Sequence, residues 1–517
     1  MSGSGAEPGP AGARWAMAVL VGCGSAGTAL SWYVAQHSLI GSRWRFFVPI
    51  GAWTALWLVG AWSARRVGSG RLTGRRAAVV AILVVGGAAR LASATGSTPS
   101  ISNDLYRYGW DAHVQLSGLD PYRYPPSAPQ LVPLRVPPYF PAPAGCGRLG
   151  QAPGCTTLNR PSDRTIYPPV AEAWFDVVHF VVPGGPVRQW QLAGAAVDMA
   201  TLGLLMIGLR GLGRDPREAA WYALCPVPVI EFAGNGHVDG LALVLLLGAL
   251  LALRRGRRAL AGGLIGLATM VKLYPAVAVA AAWRRGRVPM LLAFGAVAGL
   301  SYAPHVAVVG ARVAGYLPGY LKEEHYSNGG RFLLVGTLEL LAVPPHLVAA
   351  AAVVLVVSAA AWVLYAGPIP EQGTALLLAV LVLVTTPVQP WYAVTLAGVG
   401  LLGGGWWLVT PALFGELYYA AVVLDYRHQV AAGRLAYGSA LALIAAGVRA
   451  GAGRRVPDAA GRRRASEAGR PLLGERGHAL GEGRLSRHDV QTLGRVSDRG
   501  PQVPVEVETD LTLGRGQ

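Results

Sequence analysis

Residues 103–113, "NDLYRYGWDAH", gather two aspartates, two tyrosines, an arginine, a tryptophan and a histidine into a chain that is otherwise rich in Ala, Gly, Val and Leu. On a helix over 103–116, Asp104, Tyr108, Asp111 and Gln115 share one face by three-to-four spacing. A carboxylate there can act as a general base if a neighbour keeps it ionised. Arg107, three residues after Asp104, is a candidate for that neighbour. Further along, "VKLYP" places Lys272 in an apolar segment. It is one of two lysines in a sequence that otherwise uses arginine. Ionisable residues at membrane depth are costly and tend to be functional. A compact ammonium suits a phosphate. "NGHVDG" places His237 and Asp239 one residue apart, with Val238 between them, a spacing open to a metal ion or a sugar hydroxyl. "TTPVQPWY" offers Gln389, Trp391 and Tyr392, with aromatic faces for a sugar or an isoprenoid.

Tyr167 in "TIYPP", Tyr274 in "KLYP" and Arg331 in "EEHYSNGGR" complete the substrate-binding candidates. No P-loop, dinucleotide-binding glycine fingerprint or HExxH is present, which argues against a soluble nucleotide-sugar donor. We expect neither a cofactor nor a metal.

The elements that must position these residues are membrane helices. The chain has 517 residues, 53% of them hydrophobic and 14% charged, and its mean hydropathy is +0.40. Soluble domains carry about 25% charged residues. Apolar stretches long enough to cross a bilayer fall at 14–34, 46–62, 77–94, 187–209, 217–234, 237–254, 288–309, 346–366, 374–390, 393–410, 411–426 and 430–449. The stretch 259–283 has arginines at both ends, which favours a hairpin bent at Lys272–Pro275 over a single crossing. We expect an all-α, polytopic bundle of about 12–14 transmembrane segments.

The formal charge of +18 comes from arginines clustered in short loops rather than from one basic face, so nucleic acid is not an expected partner. "SARRVGSGRLTGRR", with five arginines, is the cytoplasmic marker. Residues 95–186 then form a large extracytoplasmic loop, and both termini lie inside. Residues 1–14 read as a cytoplasmic segment, 15–449 as the membrane domain and 450–517 as a disordered basic cytoplasmic tail. Cys146 and Cys155 lie in the outer loop, where an oxidising compartment would allow a disulfide. Cys23 and Cys225 lie in apolar segments.

The ordered set "NDLYRYGWDAHVQLSGLDPYRYPP", "LVPLR", "TIYPPVAEAWF", "NGHVDG", "GLATMVKLYP" and "QPWY" resembles actinobacterial mannosyltransferases of the GT-C superfamily, integral membrane enzymes that use polyprenyl-phosphate mannose. The resemblance spans roughly residues 75–400. It implies a GT-C-like fold in the plasma membrane, with catalysis on the extracytoplasmic face. It also implies Asp104 as base, with Asp111 second, and Lys272 at the donor phosphate. The partners it implies are a polyprenyl-phosphate sugar and a glycolipid or lipid-linked glycan acceptor. A transporter or flippase of polyprenyl-linked sugars is the alternative, since broken helices with buried charge also suit transporters.

Overall fold

The computed structural model describes residues 10–39, 43–67, 72–285, 287–324, 326, 332–424 and 426–452. The tail expected from 450 lies outside the described residues beyond Ala452, as does Arg331.

Every regular element among the described residues is helical. In chain order the α-helices are α1 (Pro10–Ala35), α2 (Arg43–Ala64), α3 (Leu72–Ser93), α4 (Asp104–Leu116), α5 (Pro143–Arg148), α6 (Pro169–Val181) and α7 (Arg188–Gly211). They continue with α8 (Ala220–Ala223), α9 (Pro226–Pro228), α10 (Asp239–Arg254), α11 (Arg258–Thr269), α12 (Ala278–Ala282), α13 (Arg287–Val309) and α14 (Leu317–Glu323). The last are α15 (Pro345–Ala366), α16 (Pro370–Val384), α17 (Pro390–Gly403), α18 (Thr410–Val423) and α19 (Gln429–Ala452). Proline opens α6, α15, α16 and α17, where its fixed φ suits the first turn and its missing N–H costs nothing.

Eight helices among the described residues are long and apolar enough to cross a membrane, or nine if one bent pair counts as a single span. Three shorter apolar helices, α11, α16 and α17, accompany them. The difference from the sequence count of about 12–14 has a physical origin: several apolar stretches are broken into short pieces enclosed by their neighbours. The chain from Pro226 to Gly234 meets α10 at a 116° bend. A π-helical turn, Val229–Gly234, ends the first limb of that bend. The helix α11 stops at Thr269, and a 3₁₀ turn, Tyr274–Val277, leads into α12. This is the break expected at Lys272–Pro275.

The main apolar core joins α1–α3 to α7, α10, α11 and α17 through side chains such as Leu20, Ile82, Leu205, Leu246, Ile265 and Leu396. Trp57 on α2 donates through Nε1 to the Trp221 carbonyl at 2.9 Å. Within this core Arg90 and Asp198 are both fully buried, Nε to Oδ2 at 2.7 Å. The Tyr222 hydroxyl donates to the other carboxylate oxygen at 2.6 Å, and Arg90 Nη1 donates to the carbonyls of Gly86 and Ala223.

Between α3 and α7 a ring of loops and short helices carries the polar sequence. Cys146 and Cys155 form a disulfide there, with Cα atoms 5.7 Å apart. In the same region Trp110 of α4 packs against Tyr139 and Phe140.

Candidate active site

Two helix breaks and two loops build one site. At the first break, Gly236 takes φ +68°, a left-handed conformation that glycine adopts without steric cost. The turn packs against α7 so closely that a Cβ on Gly194 would sit 1.9 Å from the Phe232 carbonyl oxygen. Gln191 Nε2 donates to the Gly234 carbonyl, and Asn235 Oδ1 accepts the backbone N–H groups of Ser100 and Ile101 at 2.8 and 3.0 Å. That last pair of bonds ties the start of the Asp104 loop to the break carrying His237 and Asp239.

At the second break, the backbone N–H groups of Val170 and Ala171, at the start of α6, donate to the Met270 carbonyl. The broken end of α11 is thereby satisfied by the first turn of α6, and Tyr167, just before it, arrives beside Lys272. The Tyr122 hydroxyl holds that segment from the other side, donating to the Tyr167 carbonyl at 2.6 Å.

These supports frame a cavity of about 590 Å³. Asp104, Arg107, Tyr167, Lys272, Gln389, Trp391 and Tyr392 all line it. Asp104 and Lys272, 168 positions apart in the chain, therefore open into one space. A second, largely apolar cavity of about 410 Å³ adjoins it, lined by Leu273, Leu317, Leu321, Leu378, Leu381 and Val382 among others. Ile166, Tyr167, Lys272, Tyr320, Val388 and Tyr392 border both cavities. Lys272 stands at this junction, with Nζ 5.0 Å from the Tyr167 ring centre and 4.9 Å from that of Tyr392, within cation–π range. Its ammonium lies 3.5 Å from Asp239 Oδ2. Asp239 is fully buried and also accepts from the Tyr274 hydroxyl, which pairs in turn with Thr395.

Asp104 opens α4, where the backbone dipole favours a carboxylate. Its Oδ1 accepts from Asn159 Nδ2 at 2.5 Å, and its Oδ2 faces His237 Nε2 at 3.9 Å. His237 is buried, stacked on Trp391 with ring centres 3.9 Å apart and planes 18° from parallel.

Other sequence candidates sit differently. Arg107 lines the cavity but pairs with Asp111, one helical turn on, at 2.9 Å rather than with Asp104. Its Nη atoms donate to the Asp163 carbonyl. Asp111 is buried behind that pair and does not line the cavity. Burial raises its carboxyl pKa, and Arg107 acts in the opposite direction. Burial and the nearby Asp111 likewise raise Glu172 well above the usual range. Tyr108 shares the helix but turns into an aromatic cluster, stacked on Phe175 at 4.5 Å and edge-on to Tyr167 and Trp190. Tyr274 lines only the apolar cavity, while His237 and Asp239 stand behind Asp104 and Lys272. No group of three or more His, Cys, Asp or Glu side chains among the described residues could hold a metal ion.

Three contributors are absent from the sequence motifs. Asn159 comes from the loop that closes on α4. Arg160, with φ +44°, pairs with Glu323 on α14 at 2.7 Å across the cavity rim. Tyr419 lines the cavity from α18. Each depends on a tertiary approach that no local pattern announces.

Residues 165–387 match the family model for Glycosyltransferase family 87, a GT-C-type family of membrane glycosyltransferases. This agrees with the resemblance read from the motifs, and the apolar helices fit a multi-pass membrane protein. The matched segment contains Tyr167, His237, Asp239 and Lys272; Asp104 precedes it and Trp391 follows it. Neither the curated proteins nor the solved structures provide a match.

Proposed function

We propose that this protein moves a hexose, mannose by its motifs, from a polyprenyl-phosphate donor to a glycolipid or lipid-linked glycan on the extracytoplasmic face of the plasma membrane. The observation that carries the reading is the position of Lys272, where a polar cavity holding Asp104 meets an apolar one. A polyprenyl-phosphate sugar has the same order of parts: a hydroxylated ring, an anion and a hydrocarbon chain. The sugar would occupy the polar side, against Gln389, Trp391 and Tyr392. The phosphate would face Lys272, and the first isoprene units would lie along Leu273, Leu378 and Val382.

In the reaction, Asp104 takes the proton of an acceptor hydroxyl while that oxygen's electron pair attacks the anomeric carbon. The bond from that carbon to the phosphate oxygen breaks, and its electron pair leaves with the phosphate. Lys272 stabilises the charge that develops there, in surroundings where water does not screen it. A single displacement inverts the anomeric configuration. Asn159 holds one oxygen of Asp104, leaving the other to point at the acceptor. Asp111, held by Arg107, would serve a structural role in this scheme. The arginine-rich loop at 65–76 supports a cytoplasmic location for that end of the bundle, with residues 1–14 and the tail from 450 on the same side.

The test is a transfer assay on purified protein in lipid nanodiscs, with polyprenyl-phosphate sugars and a glycolipid acceptor fraction. Wild type should release polyprenyl phosphate and extend the acceptor, with mannose the best donor sugar. Asp104→Asn should fold and bind donor but turn over about 10²–10⁴ times more slowly. No turnover with any polyprenyl-phosphate sugar, or full activity in Asp104→Asn, would overturn the reading.

A further inference from the structure

The two ring nitrogens of His237 face two different carboxylates. Nδ1 lies 3.1 Å from the backbone carbonyl oxygen of Glu231 and 2.7 Å from its Oε2. A carbonyl oxygen can only accept, so this contact assigns the hydrogen to Nδ1. In the neutral ring Nε2 is then a bare lone pair. That nitrogen is buried and has no hydrogen-bond partner among the described residues. It points at Asp104 Oδ2 across 3.9 Å, the separation of two acceptors with no proton between them and longer than a hydrogen bond. Buried polar atoms left open in this way are uncommon.

Two features hold the ring in place. Trp391 stacks on one face at 3.9 Å, and the Gly236 turn fixes the backbone. Near Glu231 stands the buried Glu416 of α18, close enough for the two carboxyl groups to influence each other. The charged and titratable groups around the ring are Asp104 from α4, Glu231 from the π turn, Asp239 from α10, Lys272 from the break after α11, and Glu416.

We propose that His237 is the second station for the proton taken from the acceptor, a positioning residue that acts through Asp104. The inference rests on the reading of Asp104 as base. The acceptor O–H bond breaks and its proton joins Asp104 Oδ2. The new carboxylic acid then donates across the former gap to Nε2, and the proton transfers. His237 becomes an imidazolium held between Asp104 and Glu231. Asp104 is again a carboxylate before product leaves, and the proton later returns to water by the same path. No other reactant is needed.

Two measurements test this. In the transfer assay, His237→Gln keeps a polar side chain of similar reach but offers no basic nitrogen. We expect its kcat to fall about 10–10²-fold, less than the roughly 10²–10⁴-fold of a direct general base, with donor KM within about twofold of wild type. Added imidazole should restore part of the rate in His237→Gly. A kcat for His237→Gln within twofold of wild type, a loss confined to donor KM, or no imidazole effect in a folded His237→Gly would each overturn the relay. If His237→Gly does not fold, the split between kcat and KM in His237→Gln decides.

The second measurement needs no turnover. In ¹⁵N-histidine spectra of the full chain, assigned by difference against His237→Gln, Nε2 should appear unprotonated at neutral pH. Asp104→Asn should shift it, because the amide can donate to the lone pair. A protonated Nε2 in the wild type overturns the proposal. An active His237→Gln beside an inactive Asp104→Asn removes the relay and leaves the transferase reading standing. A wild type inactive on every polyprenyl-phosphate sugar removes the transferase reading itself, and the spectra still decide the tautomer.

Discussion

Lys272 and Asp239 join the two broken helices of the site, with ammonium and carboxylate 3.5 Å apart. Neither group is in free solution: Asp239 is fully buried and Lys272 side-chain exposure is 12%. The pair holds the lysine at the cavity junction without closing a tight contact, so a bound anion can share the ammonium.

That geometry sets the outcome of substituting Lys272. Lys272→Met leaves a buried carboxylate without its cation and removes the charge that the proposed donor phosphate would face. We expect donor affinity to fall at least tenfold and kcat to fall with it, since a lost charge-assisted contact is worth about 1.5–3 kcal/mol. Lys272→Arg keeps the charge but presents a wider, planar group between Tyr167 and Tyr392. It should recover affinity more than rate. Titration with a polyprenyl phosphate, followed by steady-state kinetics, separates the two effects; wild-type affinity in Lys272→Met would remove the lysine from the donor site.

The buried pair Arg90–Asp198 lies in the core between α3 and α7, away from the cavity lining. Removing one partner strands a charge that the bundle cannot solvate. Arg90→Met should cost about 3–5 kcal/mol of stability, whereas the double change Arg90→Met with Asp198→Leu should cost much less. Thermal unfolding of the two variants in the same detergent checks this. Equal losses in both would mean that the hydrogen bonds to Gly86, Ala223 and Tyr222 matter more than the charge.

The sequence showed the site's parts more clearly than their partnerships. The helix expected over 103–116 is present as Asp104–Leu116, because its polar and apolar residues already alternate with helical spacing. The break at Lys272–Pro275 was visible because proline cannot continue a helix. The 116° bend at "NGHVDG" was not: apolar length divides the stretch into two separate spans, 217–234 and 237–254. What stayed hidden was set by packing between distant elements. Three-residue spacing made Arg107 a candidate partner for Asp104, yet the four-residue partner, Asp111, is the one buried beside it. Asn159, which holds Asp104, is 55 residues away in a loop whose path depends on its contacts. The span count differed for a related reason. Hydropathy registers apolar length, while α11, α16 and α17 stop short of a full crossing.

Asp176 on α6 provides a pH-dependent check outside the spans. Burial pushes its carboxyl up to about 6, with His305 acting in the opposite direction. A raised folded pKa means that the neutral acid is the better-tolerated form. Its contribution to stability is present below the ordinary value of 3.8 and is lost as pH rises through about 6. Asp176→Asn should therefore unfold at a higher temperature than wild type at pH 8, with no such gain at pH 4. An equal difference at both pH values would show that Asp176 does not titrate in this window.

Membrane orientation can be tested at Ser127, in the loop between α4 and α5. Its side chain is exposed, while its backbone N–H donates to the Pro161 carbonyl and its own carbonyl accepts from Arg135. Ser127→Cys should therefore leave the loop fold intact while adding one reactive thiol. The existing loop cysteines are joined to each other, and Cys225 is buried in the bundle. If the five arginines at 65–76 mark a cytoplasmic end of α2 and α3, as proposed, the far end of α3 and the loop after it lie outside. A membrane-impermeant maleimide should label Ser127→Cys in intact cells at the rate seen in opened membranes. Arg66→Cys, on the opposite side, should react only after the membrane is opened. If Ser127→Cys reacts only from the cytoplasmic side, the cavity holding Asp104 faces the cytoplasm, and a donor presented from outside could not reach it.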